Sequence, residues 1–200
     1  MESYDLTPAK GRAPGFGFIC KALLGRVGRR QARSVAVSYL LDAAELPGMD
    51  WTNSREANFR SVRMPFRRSP NLKSVSASRN YRQGPRYLYI EIAVTENTSD
   101  ADRLIELSRS RFYRKPGVTI VAEREMTGYD LPAVTNSQLF ERETVRGSVR
   151  AVHRHITGRV GDVVLAVYPG PSGGGWDWGE AVGIATAQAE KINMLRSPNA

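Results

Sequence analysis

The chain is poor in residues that staple or ligate. Of 200 residues, one is cysteine and two are histidine. A single thiol excludes an internal disulfide and any zinc site built on paired cysteines. Cys20 sits beside Lys21 with no base or second cysteine nearby in sequence, so it reads as a helix-face residue. No stretch approaches the ~18 apolar residues of a membrane span. No period of roughly 20–50 residues repeats, which excludes solenoids and propellers. Apolar residues, by contrast, are not scarce. With 41% hydrophobic and 24% charged residues, a chain this long can bury a full core without a metal or disulfide. An export leader is not read either. The chain opens on Met1, Glu2 and Ser3, and the apolar cluster 16–24 is broken by Lys21. Ile19 precedes Cys20, where a lipidation site wants a small residue. With one cysteine, these features predict a cytoplasmic protein, free or peripheral at the inner membrane face.

The net charge of +9 is uneven. Residues 1–86 hold 16 Lys and Arg against 6 Asp and Glu, whereas residues 87–200 hold 13 against 14. Arginine supplies 24 of the 29 basic positions. Its planar fork suits phosphate and carboxylate, although GC-rich codon usage gives the same ratio. The asymmetry is more informative, and it favours an anionic partner, either a membrane surface or nucleic acid.

Three segments follow from the pattern: a basic extension over 1–34, a single domain over 35–196 and a tail over 197–200. Within the extension, Phe16, Ile19, Leu23 and Val27 recur at helical spacing, with Lys21, Arg26, Arg29 and Arg30 elsewhere. That describes a basic amphipathic helix lying on a membrane. Four glycines oppose it, and a tail docked on the domain fits the same pattern. The domain opens with a helix over 31–46, its stripe being Ala36, Tyr39, Leu40, Ala43 and Leu46, stopped by Pro47 and Gly48. A polar connection over 49–58 carries Trp51. Strands are predicted over 59–66, 75–81 and 87–95. In the last, Leu88, Ile90, Ile92 and Val94 face one way and Tyr87, Tyr89 and Glu91 the other. Ser99 caps a second helix that buries Ala101, Leu104, Ile105, Ser108 and Phe112. Strands over 118–125, 138–143, 147–160 and 163–168 follow, the last two joined at Gly161 and Asp162. A glycine-rich loop, 169–175, leads to a closing helix over 177–195. The short connections argue for an α+β fold, an antiparallel β-sheet with helices packed on one face. No dinucleotide-type glycine motif follows a strand.

Candidate chemistry is sparse. His153 and His155 share one strand face. With Glu141 or Glu143 they would make a metal site, and without them a solvated sheet face. Residues 170–174 match G-x-S-x-G around Ser172. Yet no helix opens at once behind the serine and no histidine follows it. Asp100, Asp102 and Glu106 sit at a helix start, where acids suit the dipole. No cofactor is implied. Trp176 and Trp178 flank the glycine loop, where they would cover a ligand or staple the helix to the sheet. Tyr87 and Tyr89 complete the expected ligand- or partner-binding set. Lys21, Arg26, Arg29, Arg30, Arg33, Arg67 and Arg68 form the expected anionic-surface set. Arg67, Arg68, Lys73, Arg79, Arg82 and Arg86 also surround Tyr81, Tyr87 and Tyr89, an arrangement suited to single-stranded nucleic acid.

Residues 39–48 (YLLDAAELPG) resemble the opening of actinobacterial sensor-type domains, found outside the membrane in mycobacterial serine/threonine kinases and as lipoproteins. Residues 159–166 (RVGDVVLA) and the alanine-rich helix 181–195 resemble their end. The element order is also similar to the wider Mog1/PsbP-like group. The resemblance covers about residues 35–195. It implies a small α+β binding module without catalytic residues, and no functional residue carries over. Together these readings predict a non-catalytic module for a partner protein or apolar ligand, with its cleft between the sheet and the loop 169–178. The basic segment would rest on an anionic membrane surface. Single-stranded nucleic-acid binding is the alternative.

Overall fold

The computed structural model describes residues 34–48, 50–53, 58–61, 74–111, 117–170 and 175–197. The expected amphipathic helix lies outside them, as do all seven residues of the expected anionic-surface set. Ser172 is also outside.

Among the described residues, eight strands form one antiparallel sheet. They are β1 (Thr52–Asn53), β2 (Asn58–Ser61), β3 (Ser74–Gln83), β4 (Arg86–Thr95), β5 (Thr119–Glu125), β6 (Thr135–Arg146), β7 (Val149–Val160) and β8 (Val163–Pro169). The spatial order is β1-β3-β4-β8-β7-β6-β5, with β2 also paired to β3. Helix α1 spans 34–39, α2 Thr98–Arg111 and α3 Trp178–Arg196. The connection that read as polar therefore contains a strand, since Thr52 and Asn53 pair with Arg82 and Tyr81. Two-residue turns join β6 to β7 and β7 to β8. Gly147 (φ 58°) and Gly161 (φ 63°) supply the left-handed backbone that such turns need.

Alternation along the strands sorts the side chains. Leu88, Ile90, Ile92 and Val94 of β4 and Val163, Leu165 and Val167 of β8 face α1 and α3. They are sealed there by Ala36 and Tyr39 and by Ala181, Ile184, Ala185, Ala189 and Ile192. This α+β packing of helices on one sheet face holds the larger core. Ala93 and Val164 occupy the intervening positions, and they seat α2 through Ala101, Leu104 and Ile105 in a second, smaller cluster.

Two helix boundaries differ from expectation. The first helix ends at Tyr39 rather than at Leu46, and a 3-10 turn follows at Ala43–Glu45. Long-range partners explain the break. The Gln188 amide donates to Tyr39 O (2.6 Å), and its Oε1 accepts from Leu41 N (3.2 Å). Lys191 Nζ donates to Leu40 O (2.9 Å), and the Tyr81 hydroxyl donates to Leu41 O (2.6 Å). Backbone groups that a continued helix would satisfy are taken by side chains of α3 and β3. The second helix is capped by Asn97, not Ser99. Asn97 Oδ1 accepts from Asp100 N (2.8 Å), which leaves Ser99 inside the first turn.

Candidate functional site

The head of α3 gathers the aromatic residues. β8 leaves the sheet at Pro169, and Gly170 N donates to Tyr87 O at 2.6 Å. A Cβ on Gly170 would stand 2.9 Å from that oxygen, so only glycine allows the approach. Asp177 caps α3 by accepting from Glu180 N (2.7 Å). Just before the cap, Trp176 stacks on Trp51 with centroids 5.6 Å apart. The Arg86 guanidinium lies 4.0 Å from the Trp176 centroid, held by Glu180 and by Gln83 Oε1 (2.8 Å). Trp178 meets Tyr129 at 5.9 Å and Arg154 at 5.8 Å. Arg154 pairs with Glu141 (3.3 Å), which also holds Arg124 (2.9 Å).

Trp176 and Trp178 are 5% and 7% exposed, so both fasten the helix start to the sheet. Their polar atoms are less settled. The Trp51 indole N–H donates to Pro47 O at 3.0 Å. The Nε1 atoms of Trp176 and Trp178 are buried with no hydrogen-bond partner, as are the Nε atoms of Arg86 and Arg154.

Tyr87 and Tyr89 are not part of this cluster. They alternate with Leu88 and Ile90 and therefore lie on the α2 face of the sheet. There Tyr89 packs on Tyr168 at 5.5 Å and donates to Glu91 Oε2 (3.0 Å), while the Tyr87 hydroxyl donates to Asn80. The structure thus divides the four expected binding residues between two faces. Strand parity also separates Arg79 and Arg86 from Tyr87 and Tyr89, whereas Tyr81 shares the face of Arg79 and Arg82 pairs with Tyr87. Arg79 and Arg86 lie on the larger-core side, engaged with Asp42 and Glu180.

The histidine site is divided in the same way. His153 and His155 pair with Arg142 and Phe140, whereas Glu141 pairs with Arg154 on the opposite face. Among the described residues, no three metal-ligating side chains gather. His153 Nε2 lies 2.9 Å from Thr144 Oγ1, and His155 packs edge-on to Tyr168 at 4.8 Å. Burial, then the Arg142 and His153 charges, push the His155 pKa down to about 3. On α2, Asp102 accepts from Arg159 Nε (2.6 Å) and Asn136 Nδ2 (2.9 Å). These bonds, chiefly the one from Arg159, hold its carboxyl below the usual range. It anchors α2 to β7.

Sequence reasoning missed Arg86, Arg154, Glu180 and Tyr129 as members of the site. Strand register places Arg86 and Arg154, and long-range packing places Glu180 and Tyr129; a single sequence displays neither. Trp51 was visible, but without a role.

No family model matches this sequence, and no curated protein does. The solved structures include a match to the extracellular domain of PknH from Mycobacterium tuberculosis, at 9% identity and a TM-score of 0.54. The match covers 81% of this chain and 96% of that one, and at such low identity it establishes a shared fold. It also corrects the expected cytoplasmic, inner-face placement, because the fold is that of an extracellular domain. The lone cysteine misled: a chain of this length with a buried apolar core does not depend on a disulfide, so cysteine count does not report the compartment. No described helix is long and apolar enough to cross a membrane. In its fold, this chain is similar to the extracellular domain of a mycobacterial kinase.

Proposed function

We propose that this chain is a non-catalytic binding or sensing module of the actinobacterial extracellular sensor type, within the wider Mog1/PsbP-like group. It takes a partner protein or an apolar small ligand at the head of α3. The observation that carries this reading is the pair of buried, unpartnered indole donors at Trp176 and Trp178. Natural cores pair their buried polar groups, so two orphans beside one loop mark a place where a bound molecule completes the structure. The fold shared with an extracellular domain supports the sensing role. The basic segment 1–34, with Arg67 and Arg68, meets an anionic surface in this reading.

A ligand-observed NMR screen of neutral fragments, run on the parent and on Trp178→Phe, tests the site. Fragments that bind the parent and lose binding in the variant are expected. If both chains capture the same fragments, or neither captures any, the head of α3 is not the binding site.

A further inference from the structure

The orphaned atoms at the head of α3 share one chemical property. Trp176 Nε1, Trp178 Nε1, Arg86 Nε and Arg154 Nε are all donors, and each is buried without a partner. An indole N–H and a guanidinium N–H cannot accept a hydrogen bond. Three acceptors among the described residues there have partners. Glu180 holds Arg86, Glu141 holds Arg154, and Pro47 O receives the Trp51 indole. Both guanidinium charges therefore already have a carboxylate counter-ion. A second anion would gain only the donors, and it would meet the Glu180 and Glu141 charges. An ammonium group only donates, so it would satisfy none of the four orphaned donors.

From this geometry we infer that the head of α3 binds an uncharged, carbonyl-bearing ligand, whose oxygen accepts from an indole N–H of Trp176 or Trp178 and whose planar or apolar body lies against the aromatic rings. This rests on the binding reading above and names the ligand class for that site. The helix start contributes little by itself, since the Asp177 side chain already accepts from Glu180 N. The two indoles, each more than nine-tenths buried, carry the inference. An unsatisfied buried donor is unfavourable, so a molecule that supplies the missing acceptor is bound preferentially.

The sequence makes the test sharp, because its only three tryptophans are Trp51, Trp176 and Trp178. In 15N-labelled full-length protein, each gives one indole N–H resonance. Titration with N,N-dimethylbenzamide, an acceptor with no donor, is expected to shift the Trp176 and Trp178 resonances. The Trp51 resonance, fixed on Pro47 O, stays in place. Benzoate and benzylamine carry the same ring with an anion or a cation, and they are expected to need at least tenfold higher concentration. Trp176→Phe and Trp178→Phe each keep a smaller aromatic ring and lose the donor, and each weakens the benzamide about tenfold or more, one such hydrogen bond being worth about that factor. The parent titration decides the matter even if a variant does not fold. Should benzoate or benzylamine move the two resonances at lower concentration than the benzamide, the ligand class is wrong and the binding site stands. If none of the three probes moves either resonance, both the ligand class and the site are overturned.

Discussion

His155 is the residue whose ionisation the fold resists most clearly. It is 4% exposed, edge-on to Tyr168 and close to Arg142 and His153, and its pKa falls from 6.5 to about 3. The folded chain therefore binds fewer protons than the unfolded chain between those two values. The stability that comes from keeping the ring neutral is fully present above about pH 6.5. It is lost as pH falls toward 3, by about 1.4 kcal/mol for each unit. Urea melts at pH 7.0, 5.5 and 4.5 should show the parent weakening by about 2–3 kcal/mol overall. His155→Gln should flatten that slope while lowering stability at pH 7. A variant that keeps the full slope would show that another group carries it. Asp102 acts in the same direction in a lower window. Its carboxyl is held below 3.8, so its contribution is lost only as pH falls through its depressed value.

At the scale of elements, the break between α1 and the turn at Ala43–Glu45 is held by α3. Gln188 is fully buried and satisfies both Tyr39 O and Leu41 N. Gln188→Ala leaves those two backbone groups in the core without partners and opens a small cavity. Chemical denaturation should show a loss of about 2–4 kcal/mol. Lys191→Met removes a part-exposed donor to Leu40 O and should lose under about 1.5 kcal/mol. Equal effects would mean that the turn is not anchored through Gln188. The same contacts explain what the sequence reveals. Leu88, Ile90, Ile92 and Val94 alternate cleanly, so β4 and its buried side are readable from local pattern. The end of α1 is not, because Gln188 lies 149 positions from Tyr39 and a helix-period stripe runs through the break. Asn97 displaced Ser99 as a cap for a related reason: adjacent polar residues offer equivalent caps, and local pattern does not choose between them. In the candidate site, Trp176 and Trp178 stood out as aromatics beside a glycine loop. Arg86, Arg154 and Glu180 became visible only once register brought β4, β7 and α3 together, and the same register removed Tyr87 and Tyr89.

Across the whole molecule, the surplus positive charge lies outside the described residues. The described residues contain fifteen Lys and Arg against seventeen Asp and Glu, and many of these are paired within the sheet and α3. The surplus behind the net +9 therefore belongs to the segments 1–33, 54–57, 62–73 and 112–116. An internally balanced domain offers an anionic surface little attraction, whereas unbalanced basic segments add up to about 1 kcal/mol per Lys or Arg near it. Sedimentation with phosphatidylglycerol vesicles at low salt should pellet the full-length chain, with release as salt rises through the range where screening shortens to ~10 Å. A chain beginning at Ser34 lacks Lys21, Arg26, Arg29, Arg30 and Arg33 and should lose most of that binding. Adding Arg67→Ser and Arg68→Ser should remove much of the remainder. Phosphatidylcholine vesicles should pellet none of the three. If the full-length and truncated chains pellet equally with the anionic vesicles, the basic segment has no part in the attachment, and the charge asymmetry reflects codon usage alone.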